Sequence, residues 1–190
     1  MKRIFYSLPF FLVVLSFTFP NPTASQDTTS ESESLLLPIQ KDGKWGYINR
    51  TGKVVIKPKF DEAWIFNEGL AVIKLGDKWG YIDKTGEIVI VPKFDEAITF
   101  RNGMARVRLR NEYTFIDQTG EIIIRSPFIT EHSYGFHDGL TIIKNDNKYG
   151  FMDRNGQIII DPNFDDAAVF CEGLAPVKRG SKYGYIDING

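Results

Sequence analysis

Lys78-Trp79-Gly80-Tyr81-Ile82 runs directly into Asp83-Lys84-Thr85-Gly86, and both pieces return along the chain. The first returns as Lys44-Trp45-Gly46-Tyr47-Ile48, Lys148-Tyr149-Gly150-Phe151-Met152 and Lys182-Tyr183-Gly184-Tyr185-Ile186, with a weaker copy at Glu112-Tyr113-Thr114-Phe115-Ile116. The second returns as Asn49-Arg50-Thr51-Gly52, Asp117-Gln118-Thr119-Gly120, Asp153-Arg154-Asn155-Gly156 and Asp187-Ile188-Asn189-Gly190. The leading aromatics at 45, 79, 113, 149 and 183 step by 34, 34, 36 and 34 residues, and Phe60, Phe94, Phe128 and Phe164 keep step with them. Self-similarity at such a period marks a repeat array, in which each unit buries its apolar face against its neighbours. The two extra residues of the third unit fall between Phe128 and Phe136.

Within a unit the pattern is that of β structure. Leu70 to Leu75 is a short apolar run, Gly76-Asp77 a tight turn, Trp79 to Asp83 a second strand and Glu87 to Val91 a third. In Asp-Lys-Thr-Gly the acid bonds the backbone two residues on, and the glycine takes the left-handed position that closes a hairpin. Pro58, Pro92 and Pro162 are expected to end the third strand, since proline cannot donate to a ladder. The segment Phe94 to Phe100 then links to the next unit, as one helical turn or a short edge strand. Period-two geometry places Trp79 and Tyr81 on one face and Gly80 and Ile82 on the other. A strand glycine marks close packing on its backbone, here expected from an aromatic such as Phe94. Thr114 in the glycine position predicts altered packing in the third unit.

The array opens at Leu36-Leu37-Pro38-Ile39-Gln40, which matches Leu174-Ala175-Pro176-Val177-Lys178, and runs to Gly190 as four full units plus a terminal hairpin. The expected fold is all-β, built of tandem three-stranded repeats of about 34 residues in an open superhelix or curved sheet stack over residues 35–190. A small propeller-like ring is the alternative. Ahead of it, Lys2 and Arg3, the apolar run Ile4 to Phe19, and Thr23, Ala24 and Ser25 have the layout of a secretory signal peptide, residues 1–25. Residues 26–34 are nearly all Ser, Thr, Glu and Asp and read as a disordered linker. Cleavage after Ser25 leaves 21 basic against 24 acidic residues, a net charge of −3, with no stable membrane span. The expected location is outside the cytoplasm: periplasm, cell surface or secreted.

The Lys-Trp-Gly-Tyr-Ile-(Asp/Asn)-x-x-Gly core, followed by Ile-x-Pro-x-Phe-Asp-Glu-Ala and Phe-x-Glu-Gly-Leu-Ala, resembles the WG (KWG) repeat of bacterial exported proteins over residues 35–190. The resemblance implies a β-rich module, often of exported or cell-envelope proteins, and carries no active-site residues. The third unit departs from it at Thr114, at Ser126 in place of proline, and at Ile129-Thr130 in place of Asp-Glu.

Chemistry-bearing residues are few. A formal net charge of −1 over 190 residues argues against a nucleic-acid binder, and one cysteine excludes an intrachain disulfide framework. Cys171, beside Phe170, reads as a core residue. The pairs Asp61-Glu62, Asp95-Glu96 and Asp165-Asp166 recur, so they serve the unit as turn caps. His132 and His137 lack the further ligands a metal needs. With no nucleophile–base pair, neither a catalytic, cofactor or metal site nor an enzymatic activity is expected. Trp45, Trp79, Tyr113, Tyr149 and Tyr183, with Gly46, Gly80, Gly150 and Gly184, read as structural repeat positions; exposed in a row, the aromatics would instead suit sugar rings. Arg106, Arg108 and Arg110 alternate along one strand, so their guanidinium groups are expected to form an anion-binding patch while Val107 and Leu109 point inward. The functional expectation is a non-catalytic binding or scaffolding module with a protein partner; the alternative is a carbohydrate-binding envelope module.

Overall fold

A computed structural model describes residues 35–190; the signal-peptide and linker readings lie outside the described residues. Every regular element among the described residues is a strand, and the strands form five separate antiparallel sheets in chain order. The first sheet contains β1 (Leu37–Lys41), β2 (Lys44–Ile48) and β3 (Val54–Phe60). The second contains β4 (Glu62–Ala63), β5 (Ala71–Leu75), β6 (Lys78–Ile82) and β7 (Ile88–Phe94). The third contains β8 (Glu96–Ala97), β9 (Ala105–Leu109), β10 (Glu112–Ile116) and β11 (Ile122–Arg125). The fourth contains β12 (Leu140–Asn145), β13 (Lys148–Asp153) and β14 (Ile158–Phe164), and the fifth β15 (Asp166–Ala167), β16 (Ala175–Arg179) and β17 (Lys182–Ile186). The units are thus three- to four-stranded, and the linking segment is a short edge strand where it is regular. The strands do not close into a barrel.

The sheets share cores with their neighbours, which is why no unit could fold alone. Leu36, Tyr47, Ile56 and Phe60 of the first sheet's side pack with Ala63, Ala71, Ile73 and Ile82 of the second. Val72, Tyr81, Ile90 and Phe94 of the second pack with Ala97, Ala105, Val107 and Ile116 of the third. Phe115 and Ile124 meet Ile143 and Met152, and Ile142, Phe151 and Ile160 meet Ala175 and Val177. Alternate residues of one strand therefore feed two different cores: Tyr81 looks forward along the array and Ile82 back. Each forward ring meets one of the next unit, as in the pairs Tyr47–Phe66 and Tyr81–Phe100 at 4.8 Å, Phe115–Phe136 at 5.0 Å and Phe151–Phe170 at 4.8 Å.

The turns follow the sequence reading. Asp83 Oδ1 accepts bonds from Thr85 N, Thr85 Oγ1 and Glu87 N, and Gly86 at φ +88° closes the hairpin. Asn49, Asp117 and Asp153 do the same in their units.

Three expectations need correction. Proline does not end the third strand: Pro58, Pro92 and Pro162 lie inside β3, β7 and β14. The pairing jumps there, from Tyr81↔Ile90 to Trp79↔Phe94, so the proline sits in a bulge, where no ladder bond is asked of it. What covers Gly80 is that bulge, not an aromatic ring: an added Cβ would lie 2.5 Å from Ile90 O and 2.7 Å from Pro92 N. Gly46 and Gly150 face Ile56 O and Ile160 O in the same way, each at 2.4 Å. Cys171 is exposed, because its register matches Asn67, Arg101 and His137, the first residues of surface turns.

Candidate functional surface

The arginines separate. β9 is covered on both sides, so its alternate residues have no free face. Val107 enters the core shared with the second sheet, as expected. Arg106 faces the opposite way and is buried with 5% exposure in the register that Val72 and Ile142 fill in sister units. Its Nη1 donates to Thr130 O at 2.8 Å, and its guanidinium stacks on Tyr113 at 4.6 Å and Tyr134 at 5.7 Å. Loss of solvation lowers its pKa from the usual arginine value, opposed by the Tyr113 and Glu96 charges. Arg108 pairs with Glu96 at 2.8 Å, repeating the Lys74–Glu62 pair of the second sheet. Arg110 is exposed in the β9–β10 turn at φ +52°. The expected three-guanidinium patch is therefore not assembled: one member is buried, one paired, one on a turn.

The leading aromatics are not a free row either. Trp45, Trp79, Tyr113 and Tyr149 are half-buried and only Tyr183 is open. Lys74 lies over Trp79, Lys144 over Tyr149 and Lys178 over Tyr183, at 5.1 to 5.3 Å from the ring centres. The buried spine is the second aromatic of each motif, Tyr47, Tyr81, Phe115 and Phe151, all with no exposure. Its signal in the sequence was position alone, one strand period beyond the first ring. Tyr47 and Tyr81 keep their hydroxyls satisfied by donating to Trp64 O and Ile98 O, at 2.6 and 2.8 Å. Burial raises the pKa of both phenols above the ordinary value.

The recurrent acids tie one sheet to the next. Asp61 accepts from Lys44 Nζ at 2.5 Å and Gly76 N at 2.8 Å; Asp95 pairs with Lys78; Asp165 accepts from Lys148 Nζ and Gly180 N, each at 2.5 Å. These bonds, led by the lysine in each case, hold all three carboxylates below the usual aspartate range. The inter-sheet role extends the capping expectation. His132 lies 3.4 Å from Glu131 and against Tyr149, and no group of three metal-ligating side chains forms among the described residues.

Besides Trp64, Ile65, Tyr134 and the two tyrosines of β17, the outer strand of each of the first four sheets is open to solvent. β3, β7, β11 and β14 are all edge strands. They expose Val54–Val55, Ile88–Val89, Ile122–Ile123 and Ile159, the same two positions of each unit, with Val91 beside them. Both faces of an outer strand reach solvent there, while the next residue inward (Ile56, Ile90, Ile124, Ile160) is buried. Sequence reading missed this ribbon because an apolar run such as Ile88-Val89-Ile90-Val91 looks like core throughout.

Geometry defines the class: an all-β tandem-repeat protein whose unit is a Lys-aromatic-Gly-aromatic hairpin strand with a bulged proline strand packed on its glycine. The family model for the WG containing repeat matches residues 45–79, 79–113 and 149–183, more than half of the chain, and the chain belongs to that family. The gap between the second and third matches, from 113 to 149, is the unit with Thr114, Ser126 and the insertion. No curated protein matches the sequence. Among solved structures, a eukaryotic initiation factor is similar at TM-score 0.58 and 12% identity, over 82% of this chain and 50% of that one, which is a likeness of fold. A protein of unknown function from Bacteroides caccae gives TM-score 0.35 at 12% identity, over 84% of this chain and 76% of that one. The AfRom2 CNH domain gives 0.39 at 12% identity, over 85% and 66%. The chain spans half the length of the initiation-factor chain.

Proposed function

We propose that the array is a non-catalytic binding module, exported from the cell, that holds a protein partner along the ribbon of outer strands. The observation that carries this is periodic: paired β-branched residues at Val54–Val55, Ile88–Val89 and Ile122–Ile123, with Ile159 continuing the series, stay exposed on edge strands of successive sheets. Apolar side chains that recur on a surface and serve no core mark a contact site. Lys57, Lys93 and Arg125 flank the ribbon on the same strands and suit a partner with acidic residues beside its apolar ones. Export rests on the charge, apolar run and small residues at the N-terminus.

Photo-crosslinkers at Val55, Val89 and Ile123 should trap one and the same protein in cells, and one at Lys84 should not. Val89→Lys with Ile123→Lys should keep the fold and abolish the crosslink at Val55. If the charged variant traps that protein as well as the parent does, the ribbon is not the binding surface.

A further inference from the structure

A tight turn precedes the hairpin of each later unit, closed by mutual backbone bonds between Asn67 and Leu70, Arg101 and Met104, His137 and Leu140, and Cys171 and Leu174. The two central residues of every such turn are left-handed, as with Glu68 (φ +50°) and Gly69 (φ +84°), or Asn102 (φ +52°) and Gly103 (φ +76°). Successive N–H groups then converge, an arrangement that binds anions. Two of the turns hold a carboxylate of the preceding unit. Asn102 N and Gly103 N donate to the two oxygens of Glu68, at 2.5 and 2.8 Å, and Gln118 Nε2 approaches the same carboxylate at 3.5 Å. Gly173 N donates to Asp138 Oδ2 at 2.8 Å.

The first turn has the same donors without a resident acid in register. One repeat before Glu68 stands Ser34, and among the described residues neither Glu68 N nor Gly69 N has an acceptor. Both residues line a cleft of about 380 Å3 together with Leu35, Phe66, Arg50 and Lys84. Lys84 is the counterpart of Gln118, so the third donor here is an ammonium group, and the adjacent turn adds the Arg50 guanidinium. Charged donors strengthen a carboxylate bond over the neutral amide used at Glu68. The third turn lacks such a set: Asn102 precedes it, and Arg154 is spent on Asn102 O.

We infer that this cleft binds the carboxylate of an acidic side chain through Glu68 N, Gly69 N and Lys84, with Arg50 adding charge. The carboxylate is that of an acidic peptide segment of a partner, which the two cations beside the amides suit. The site is separate from the outer-strand ribbon and stands or falls without it.

The test is a titration of the whole purified chain with N-acetylglutamate methylamide, followed by the amide resonances of Glu68 and Gly69. The probe should move both amides downfield alike in the parent and in the Glu31→Gln, Glu33→Gln variant. Amides that lie downfield already in the parent, return in that variant and respond to the probe only there would overturn the assignment to a partner. Lys84→Ala should weaken the probe roughly two- to fivefold, the worth of one exposed charge pair, and Lys93→Ala should not. The inference is overturned if the probe moves neither amide in either chain, if N-acetylglutamine methylamide moves them equally, or if Lys84→Ala leaves the affinity unchanged.

Discussion

Substituting Gly80 and Gly184 by alanine should have opposite effects, although the two occupy the same position of the same motif. Neither has a left-handed φ, so backbone conformation does not separate them. A Cβ on Gly80 would stand 2.5 Å from Ile90 O, 2.7 Å from Pro92 N and 2.9 Å from Pro92 Cα, all backbone atoms of β7. No rotamer change relieves such a contact; β7 must shift outward, and it carries Ile90 and Phe94 in the core between the second and third sheets. Overpacking of this kind costs ~1–3 kcal/mol, and a main-chain obstacle belongs at the upper end. Alanine also restricts the unfolded chain, which returns ~0.4–1 kcal/mol. The net expectation is a loss of about 2 kcal/mol, or roughly 4–8 °C in melting midpoint for a chain of this size. At Gly184 nothing lies within 4 Å of the added carbon, so only the unfolded-state effect acts and Ala should stabilise by about 0.4–1 kcal/mol. Urea and thermal unfolding, read by tryptophan fluorescence, measure both. Equal losses at the two positions, or no loss at Gly80, would refute the account of why this strand needs glycine.

Other consequences concern charge. Arg106→Met should leave the melting midpoint within about 3 °C of the parent or raise it, because sister units put apolar Val72 and Ile142 there and a charge without a carboxylate contact is costly to bury; a drop of ~2 kcal/mol or more would show that the guanidinium holds the third and fourth sheets together. Asp61, Asp95 and Asp165 have folded pKa values below the unfolded one, so their contribution is complete above the unfolded value of about 3.9 and is lost as pH falls through the lower folded values. The loss of stability on acidification, followed by circular dichroism, should therefore begin near pH 4, and each Asp→Asn variant should be less stable than the parent at neutral pH and show a flatter acid dependence.

Period, strand alternation and the Asp-x-x-Gly turn were legible in the sequence because each is a local rule. Asp83 finds its partners within four residues, and the register of Trp79 against Gly80 follows from the two-residue period alone. What was not legible depends on a second body. Alternation sends Arg106 to one face and Val107 to the other, but only the sandwiching of β9 between sheets makes both faces interior. Likewise the sequence places Cys171 beside buried Phe170, while its mutual bonds with Leu174 turn it onto the surface. The outer ribbon is the converse case, apolar residues whose strand has no neighbour beyond it.

The irregular third unit is one structural change, not several. Thr114 puts a side chain where its sisters have glycine under a bulge, and at the 2.4–2.5 Å separations found there that bulge cannot form. β11 accordingly pairs as Thr114↔Arg125 and Phe115↔Ile124 without the jump, and Thr114 Oγ1 donates to Ile124 O at 2.5 Å. With no bulge there is no site that favours proline, and Ser126 stands in its place just beyond the end of the shortened strand. The chain then leaves the regular path early, and the two added residues carry it back to the His137–Leu140 turn through an irregular segment where other units have a short strand. That segment presents Thr130 O to Arg106 and buries Ser133, whose hydroxyl donates to Ile142 O at 2.5 Å. A polar side chain can enter this core because Ile142 O of β12 is left for it: in sister units the equivalent carbonyls of Val72, Arg106 and Pro176 accept from Trp64 N, Ile98 N and Ala168 N of the linking segment.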